Sequence, residues 1–223
     1  MPDTSYFSPE FFEFLRQLKR HNNRKWFANN KTQYEQVVHE PALAFIEQVG
    51  PQLSRISSHF VADPHPSRGS LFRIYRDIRF SLDKKPYKTH LGMQFAHESA
   101  KDAHAPVFYL HAEPDNCFAA GGVWHPDGPT LTRIRTAIVE QEASWKALRK
   151  KIELEGDKLS RPPRGYNPEH PLIDDIKYRD FIASVAFTEK QMCSAGFMRD
   201  FISACKTMKP LVEFTTKALG LKF

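Results

Sequence analysis

Between Leu71 and Trp124 the chain runs in short stretches rich in aromatic and aliphatic residues, one of them alternating apolar with polar side chains. On both sides of that region apolar residues recur every three or four positions instead. The first pattern puts successive side chains on opposite faces of a strand, and the second lines one side of a helix. One central run of strands with helices before and after it restricts the chain to an α+β fold. The expectation is a single domain with a mostly antiparallel central sheet, flanked by N-terminal, middle and C-terminal helices. No internal repeat or linker-like composition divides the 223 residues.

The first helix starts after Ser8, with Pro9 at a position where a missing N–H costs nothing, and lines up Phe11, Phe12, Leu15 and Leu18. A second helical stretch runs from about Asn30 to Ile56. Pro41 must kink or divide it, because proline removes a hydrogen bond and crowds the preceding turn. Strands are expected over Phe72–Phe80, His90–His97, Val107–Ala112, Cys117–Trp124 and Phe181–Phe187, with Glu113–Asn116 as the turn of a hairpin. A long helix spans about Pro129–Ile152, capped by Asp127. The chain from Thr188 to Leu219 is mostly helical, with Pro210 as a second kink. Asp63–Gly69 and the Pro- and Arg-rich Lys158–Pro171 read as loops.

Composition excludes several classes. A hydrophobic fraction of 41%, with 18 phenylalanines, supplies a core able to outweigh the entropy of ordering the chain. No apolar run approaches the roughly 20 residues that span a bilayer. No Lys or Arg precedes the first apolar residues, so the N-terminus does not read as a signal peptide. Cys117, Cys193 and Cys205 are odd in number and far apart, against a disulfide framework or a zinc knuckle. The expectation is a soluble, cytoplasmic protein with reduced thiols and no membrane partner; its oligomeric state is not fixed by the sequence.

The net charge of +6 is concentrated. Within Leu71–His90, Arg73, Arg76, Arg79, Lys84, Lys85 and Lys88 face only Asp77 and Asp83, a local excess of +4. On a strand, Arg73, Tyr75, Asp77 and Arg79 would share one face, and Arg76 would point to the apolar one, where it needs a partner. Two guanidiniums beside a carboxylate suit either a bidentate grip on a phosphate or carboxylate ligand, or a structural ion-pair network. Tyr87, Lys88 and His90 follow directly. The candidate ligand-binding residues are therefore Arg73, Arg76, Asp77, Arg79, Lys84, Tyr87, Lys88 and His90. His90, Tyr87 and Asp77 are the candidates for any proton transfer.

Other constellations are weaker. Gly121-Gly122-Val123-Trp124 and Asp127-Gly128-Pro129 match neither a P-loop nor a dinucleotide fingerprint and read as a strand end and a helix cap. Arg133 and Arg135 fit a solvated helix face. Arg161, Arg164 and Tyr166 lie in the long loop, over a pocket or on the surface. Ser81 and Thr89 have no activating neighbour in sequence. No cofactor or metal is expected. None of the ten histidines falls in a His-Glu-x-x-His or Cys/His zinc pattern, and the seven-residue spacing of His97, His104 and His111 reads as coincidence.

The stretch FRIYRDIRFSLDKKPYKTHLG, with NNRKWF before it and GGVWHPDGPTLTRIR, RPPRGY and HPLID after it, resembles the signature of the family called domain of unknown function 2461. These elements run in order through nearly the whole chain. The resemblance implies a single-domain protein and supplies no activity, cofactor or catalytic residue.

Three functions remain open. A small-anion site would have Arg73, Arg79 and Lys88 hold a phosphate or carboxylate in a concave pocket. A nucleic-acid binder would present an extended basic surface with Tyr75, Phe80 and Tyr87 as stacking platforms and a steep salt dependence. A structural or interaction module would have its arginines capped by Asp77, Asp83, Glu98 or Glu113. The small-anion site ranks first, because the charges are packed too closely in sequence for a backbone-tracking surface.

Overall fold

The computed structural model describes residues 4–99 and 105–223. Helix α1 (Pro9–Arg20) follows an extended Ser8 and buries Phe11, Phe12, Phe14, Leu15 and Leu18. Asn23 caps the short α2 (Arg24–Asn29) by accepting a hydrogen bond from the Trp26 N–H. The expected long second helix is divided. Helix α3 (Lys31–Tyr34) passes through a π-helical turn, Glu35–His39, into α4 (Glu40–Leu53). The wide turn lies just ahead of Pro41, the residue that cannot donate to the preceding turn, and it absorbs the missing bond.

Strands β1 (Leu91–Ala96), β2 (Val107–Glu113), β3 (Asn116–Val123) and β4 (Phe181–Phe187) form an antiparallel sheet in the order β1-β2-β3-β4. Pro114 and Asp115 make the β2–β3 turn, with Asp115 at φ 64° and Glu113 opposite Asn116. One face of the sheet carries Met93, Phe95, Phe108, Leu110, Ala119 and Phe181, all fully buried. Helix α9 (Phe197–Ala218) crosses that face, continuous through Pro210. It approaches so closely that a Cβ on Gly121 would lie 3.0 Å from Met208 and Val212.

The expected Pro129–Ile152 helix is also two pieces, α5 (Gly128–Glu140) and α6 (Glu142–Arg149), broken at Gln141. Asp127 caps α5 through the Thr130 N–H, as expected. Arg135 is a correction. It is buried, not solvated, and donates to the carbonyls of Ile176 and Tyr178 at 2.7 and 3.0 Å. Those carbonyls lie at the end of the short α7 (Ile173–Ile176) and just past it, where the helix leaves its last carbonyls without partners of its own. Helix α8 (Glu189–Met192) is held by a reciprocal Thr188–Gln191 capping box. None of the helices among the described residues is long and apolar enough to cross a membrane.

The larger correction concerns Phe72–Phe80, which is not a strand. Only its start pairs with the edge of β1, through Gln94 N–H to Ser70 O (2.8 Å) and Phe72 N–H to Gly92 O (2.9 Å). The chain then leaves the sheet as a narrow arm. Arg76 N–H bonds to Pro86 O, Lys88 N–H bonds to Ile74 O, and Tyr75 faces Tyr87. Its base is clamped from the N-terminal helices. The Asn22 side-chain amide donates to Tyr87 O (2.9 Å) and accepts from Tyr87 N–H (3.1 Å), while the Tyr87 ring stacks on Phe27 at 4.2 Å.

Candidate functional site

The second face of the sheet meets the base of this arm. Side chains two apart share a face, so Tyr109, His111 and Glu113 of β2 lie together, with Gly92 and Gln94 of β1 beside them and Phe118 of β3 across from His111. Leu91 pairs with Ala112, so His90, one step before it, comes opposite Glu113. The His90 and His111 rings lie 4.6 Å apart, and Phe118 stacks on His111 at 4.8 Å.

Glycine at position 92 makes this arrangement possible. A Cβ there would fall 2.5 Å from the Tyr109 hydroxyl and 3.1 Å from Phe72 Cδ2. The space it leaves lets Tyr109 Oη reach His111 Nδ1 at 3.1 Å. The other ring nitrogen, His111 Nε2, is buried with no hydrogen-bond partner. Its nearest carboxylate oxygen, Glu113 Oε2, lies at 3.5 Å, an ion-pair separation too long to satisfy it. The other oxygen, Glu113 Oε1, faces Thr89 Oγ1 at 3.4 Å and Lys19 Nζ at 3.6 Å. Burial pulls the His90 pKa down to about 4, with the neighbouring His111 adding to the effect, and burial also lowers His111 against the pull of Glu113. Both imidazoles are therefore neutral near pH 7.

The arm sorts the residues singled out in the sequence. Arg79 grips Asp77 with two nitrogens, Nε at 3.0 Å and Nη2 at 2.7 Å, and these bonds hold the Asp77 carboxyl down to about 2. Arg76 donates to Asp83 at 2.8 Å and to Lys85 O at 3.2 Å, so it is paired near the surface and does not point into the core. Lys84 donates to Ile78 O. These pairs stand on the exposed outer part of the arm, where Phe80 and Leu82 are 93% and 103% exposed. The shared polar face of Arg73, Tyr75, Asp77 and Arg79 is not formed, since no strand underlies it. Tyr87 is buried, and burial raises its pKa.

Lys88 and Arg73 differ from the rest. Lys88 Nζ sits 5.2 Å from the centre of the Phe72 ring. Neither cation has a carboxylate partner among the described residues. Partial burial lowers the Lys88 pKa, the nearby Arg73 charge adds to the effect, and Arg73 is also within electrostatic range of the already paired Asp77. Beyond Phe72 an open cleft of about 300 Å³ continues along β1 past Gln94, lined by Asp63, Arg68, Ser70 and Glu98.

The remaining candidates are structural or peripheral. His97 is a satisfied core histidine, bonded through Nε2 to Lys222 O and through Nδ1 to the Ser99 N–H. His104 lies outside the described residues. Arg133 donates to Leu219 O, Arg161 and Arg164 are exposed, and Tyr166 reaches Thr132 O. Sequence reasoning missed Tyr109, His111 and Glu113 as a group. Their spacing of two was a usable signal, but their meeting with His90 depends on strand register.

A family model described as conserved hypothetical protein (DUF2461) matches residues 10–214. No curated protein matches the chain.

Proposed function

The chain belongs to that family, whose description names no activity, and we propose from its geometry that the protein binds a small phosphate- or carboxylate-bearing ligand between Lys88 and Arg73, beside His90. The supporting observation is a pair of neighbouring cations, one half-buried, with no carboxylate partner among the described residues. A cation partly removed from water and placed near a second positive charge is destabilised twice, and an anion between them relieves both effects. The Phe72 ring gives Lys88 only about 0.5–1 kcal/mol, short of the 1.5–3 kcal/mol typical of a hydrogen bond to a charged partner. Arg73 adds a planar fork suited to two oxygens of one ligand. Arg76 and Arg79 already have carboxylates, so the wider basic set contracts to these two residues with His90. Three free thiols suit the reducing cytoplasm, which we propose as the compartment.

Calorimetric titration with inorganic phosphate, and separately with citrate, tests this reading. Lys88→Met and Arg73→Gln are expected to weaken binding at least tenfold, about 1.4 kcal/mol each, while Arg79→Ala leaves it unchanged. Absence of binding by either probe, or equal loss in all three variants, refutes it. A second reading rests on the exposed Tyr75 and Phe80 beside Lys84 and Lys85, which resemble a stacking platform for single-stranded nucleic acid. It requires oligonucleotide binding that falls steeply with salt and is weakened by Phe80→Ser.

A further inference from the structure

We propose that His90, His111 and Glu113 form a binding site for one divalent cation of the zinc class, with an open coordination position. The proposal shares His90 with the anion reading above but does not depend on it, because it needs neither Lys88 nor Arg73 and is tested with the metal alone.

The geometry carries it. One ligand atom from each residue can be chosen so that all three lie within 4.8 Å of one another. Two ligands of a tetrahedral zinc, at about 2.0–2.1 Å from the metal, sit about 3.4 Å apart. His111 Nε2 and Glu113 Oε2 are 3.5 Å apart, close to that edge and too far for a hydrogen bond. The widest separation exceeds the edge by no more than about 1.4 Å, within reach of a small rotation of the half-buried His90 ring.

The surroundings match what such a site requires of its second layer. When His111 Nδ1–H donates to the Tyr109 oxygen, Nε2 carries the lone pair, buried without a hydrogen-bond partner and 3.5 Å from Glu113 Oε2. A fixed partner on the far nitrogen is how proteins set the tautomer and aim of a ligating imidazole. Thr89 and Lys19 engage Oε1 of Glu113, which leaves Oε2 for the metal. His111 and Glu113 stand on a paired strand and His90 adjoins one, so the ligand set rests on rigid elements. Two imidazoles and one carboxylate select a borderline cation over magnesium or calcium, and three protein ligands leave a fourth position for water or an anion.

Without a metal, the arrangement leaves a buried ring nitrogen unsatisfied, and buried polar groups are rarely left so. The competing reading is a histidine that simply tolerates this beside Glu113.

The test uses the full chain without a histidine tag, dialysed against chelator. Calorimetric titration with ZnCl2 is expected to show one equivalent bound, and Co2+ to give the visible absorption of a four- or five-coordinate site. His111→Gln and Glu113→Gln are each expected to weaken Zn2+ binding at least 100-fold. Tyr109→Phe, which removes only the orienting oxygen, is expected to weaken it 10–100-fold. His59→Ala, at the separate exposed His59–Glu98 pair, is expected to leave it unchanged. Circular dichroism verifies folding, and Glu113→Gln, at a surface-reaching side chain, keeps the test decisive if His111→Gln does not fold. Absence of stoichiometric binding, or binding indifferent to Glu113→Gln and Tyr109→Phe, overturns the proposal.

Discussion

Gly92→Ala sets two opposed effects against each other. In an extended strand an added methyl usually stabilises, by about 0.4–1 kcal/mol, because it restricts the unfolded chain. At Gly92 the methyl would meet the Tyr109 hydroxyl at 2.5 Å, Phe72 Cδ2 at 3.1 Å and Tyr109 Cε2 at 3.2 Å. Relief requires both rings to move, an overpacking cost of about 1–3 kcal/mol. Moving the Tyr109 hydroxyl also breaks its bond to His111, worth about 1 kcal/mol. The clash wins, and Gly92→Ala is expected to destabilise by about 1–3 kcal/mol. At 2 kcal/mol, a chain of this size loses roughly 4–8 °C in melting temperature. Urea denaturation followed by tryptophan fluorescence measures the change. Tyr109→Phe supplies the internal control, since it removes the atom at 2.5 Å and leaves the ring. In that background Gly92→Ala is expected to cost at least about 1 kcal/mol less, a coupling typical of side chains in contact. A neutral or stabilising Gly92→Ala, or the same cost with and without the hydroxyl, refutes the claim that this glycine exists to admit Tyr109.

Asn22→Ala removes both hydrogen bonds that clamp Tyr87 and is expected to cost about 1–3 kcal/mol in urea denaturation. Asp77 has its pKa held at about 2 in the folded chain, below its ordinary 3.8. Its contribution to stability is therefore complete above the ordinary value and lost as pH falls through about 2, and carboxyl NMR should place the midpoint there. Arg79→Ala is expected to move that midpoint up toward the ordinary value. Replacing the exposed Phe80 and Leu82 with Ser is expected to change stability by no more than about 0.5 kcal/mol per site, read as an unchanged denaturation midpoint.

The four sheet strands and the Pro114–Asp115 turn were legible because local signals agree with tertiary context there. Their apolar runs fit a sheet face covered by α9, and the turn residues suit the required backbone. The arm misled because its alternation was imperfect. Tyr75, Arg76 and Asp77 interrupt the apolar series, and of Phe72, Ile74, Ile78 and Phe80 only Ile74 is buried. A strand there needs a continuous partner, and the β1 edge bonds to Ser70 and Phe72 and, at its far end, to His59–Val61, not to the stretch beyond Phe72. Arg135 was misread for another reason. It falls four residues after Leu131 on the inner stripe of α5, and only the carbonyls of Ile176 and Tyr178, supplied from far along the chain, explain a guanidinium there. The His90–His111–Glu113 group was invisible because register between strands is not written in either strand alone.

The long central motif divides by task once the structure is known. Leu71, Ile74 and Tyr87 are buried anchors, and Asn22 and Phe27 of the earlier NNRKWF segment grip the last of them. Arg76 with Asp83, and Arg79 with Asp77, neutralise each other on the outer part of the arm. Those pairs take up two of the motif's six basic residues without invoking any ligand, and Lys84, bonded to the Ile78 carbonyl, and Lys85 stand exposed on the same outer part. What they leave over is Arg73, Lys88 and His90, grouped at the base of the arm where the clamp presses it against the sheet. The same clamp fixes Tyr87, one residue before Lys88 and three before His90, so the residues that hold the arm in place also fix the positions of the leftover cation and imidazole. Loosening Asn22 should for that reason disturb binding at Lys88 and at His90 together, whereas disrupting the Arg79–Asp77 pair should disturb neither.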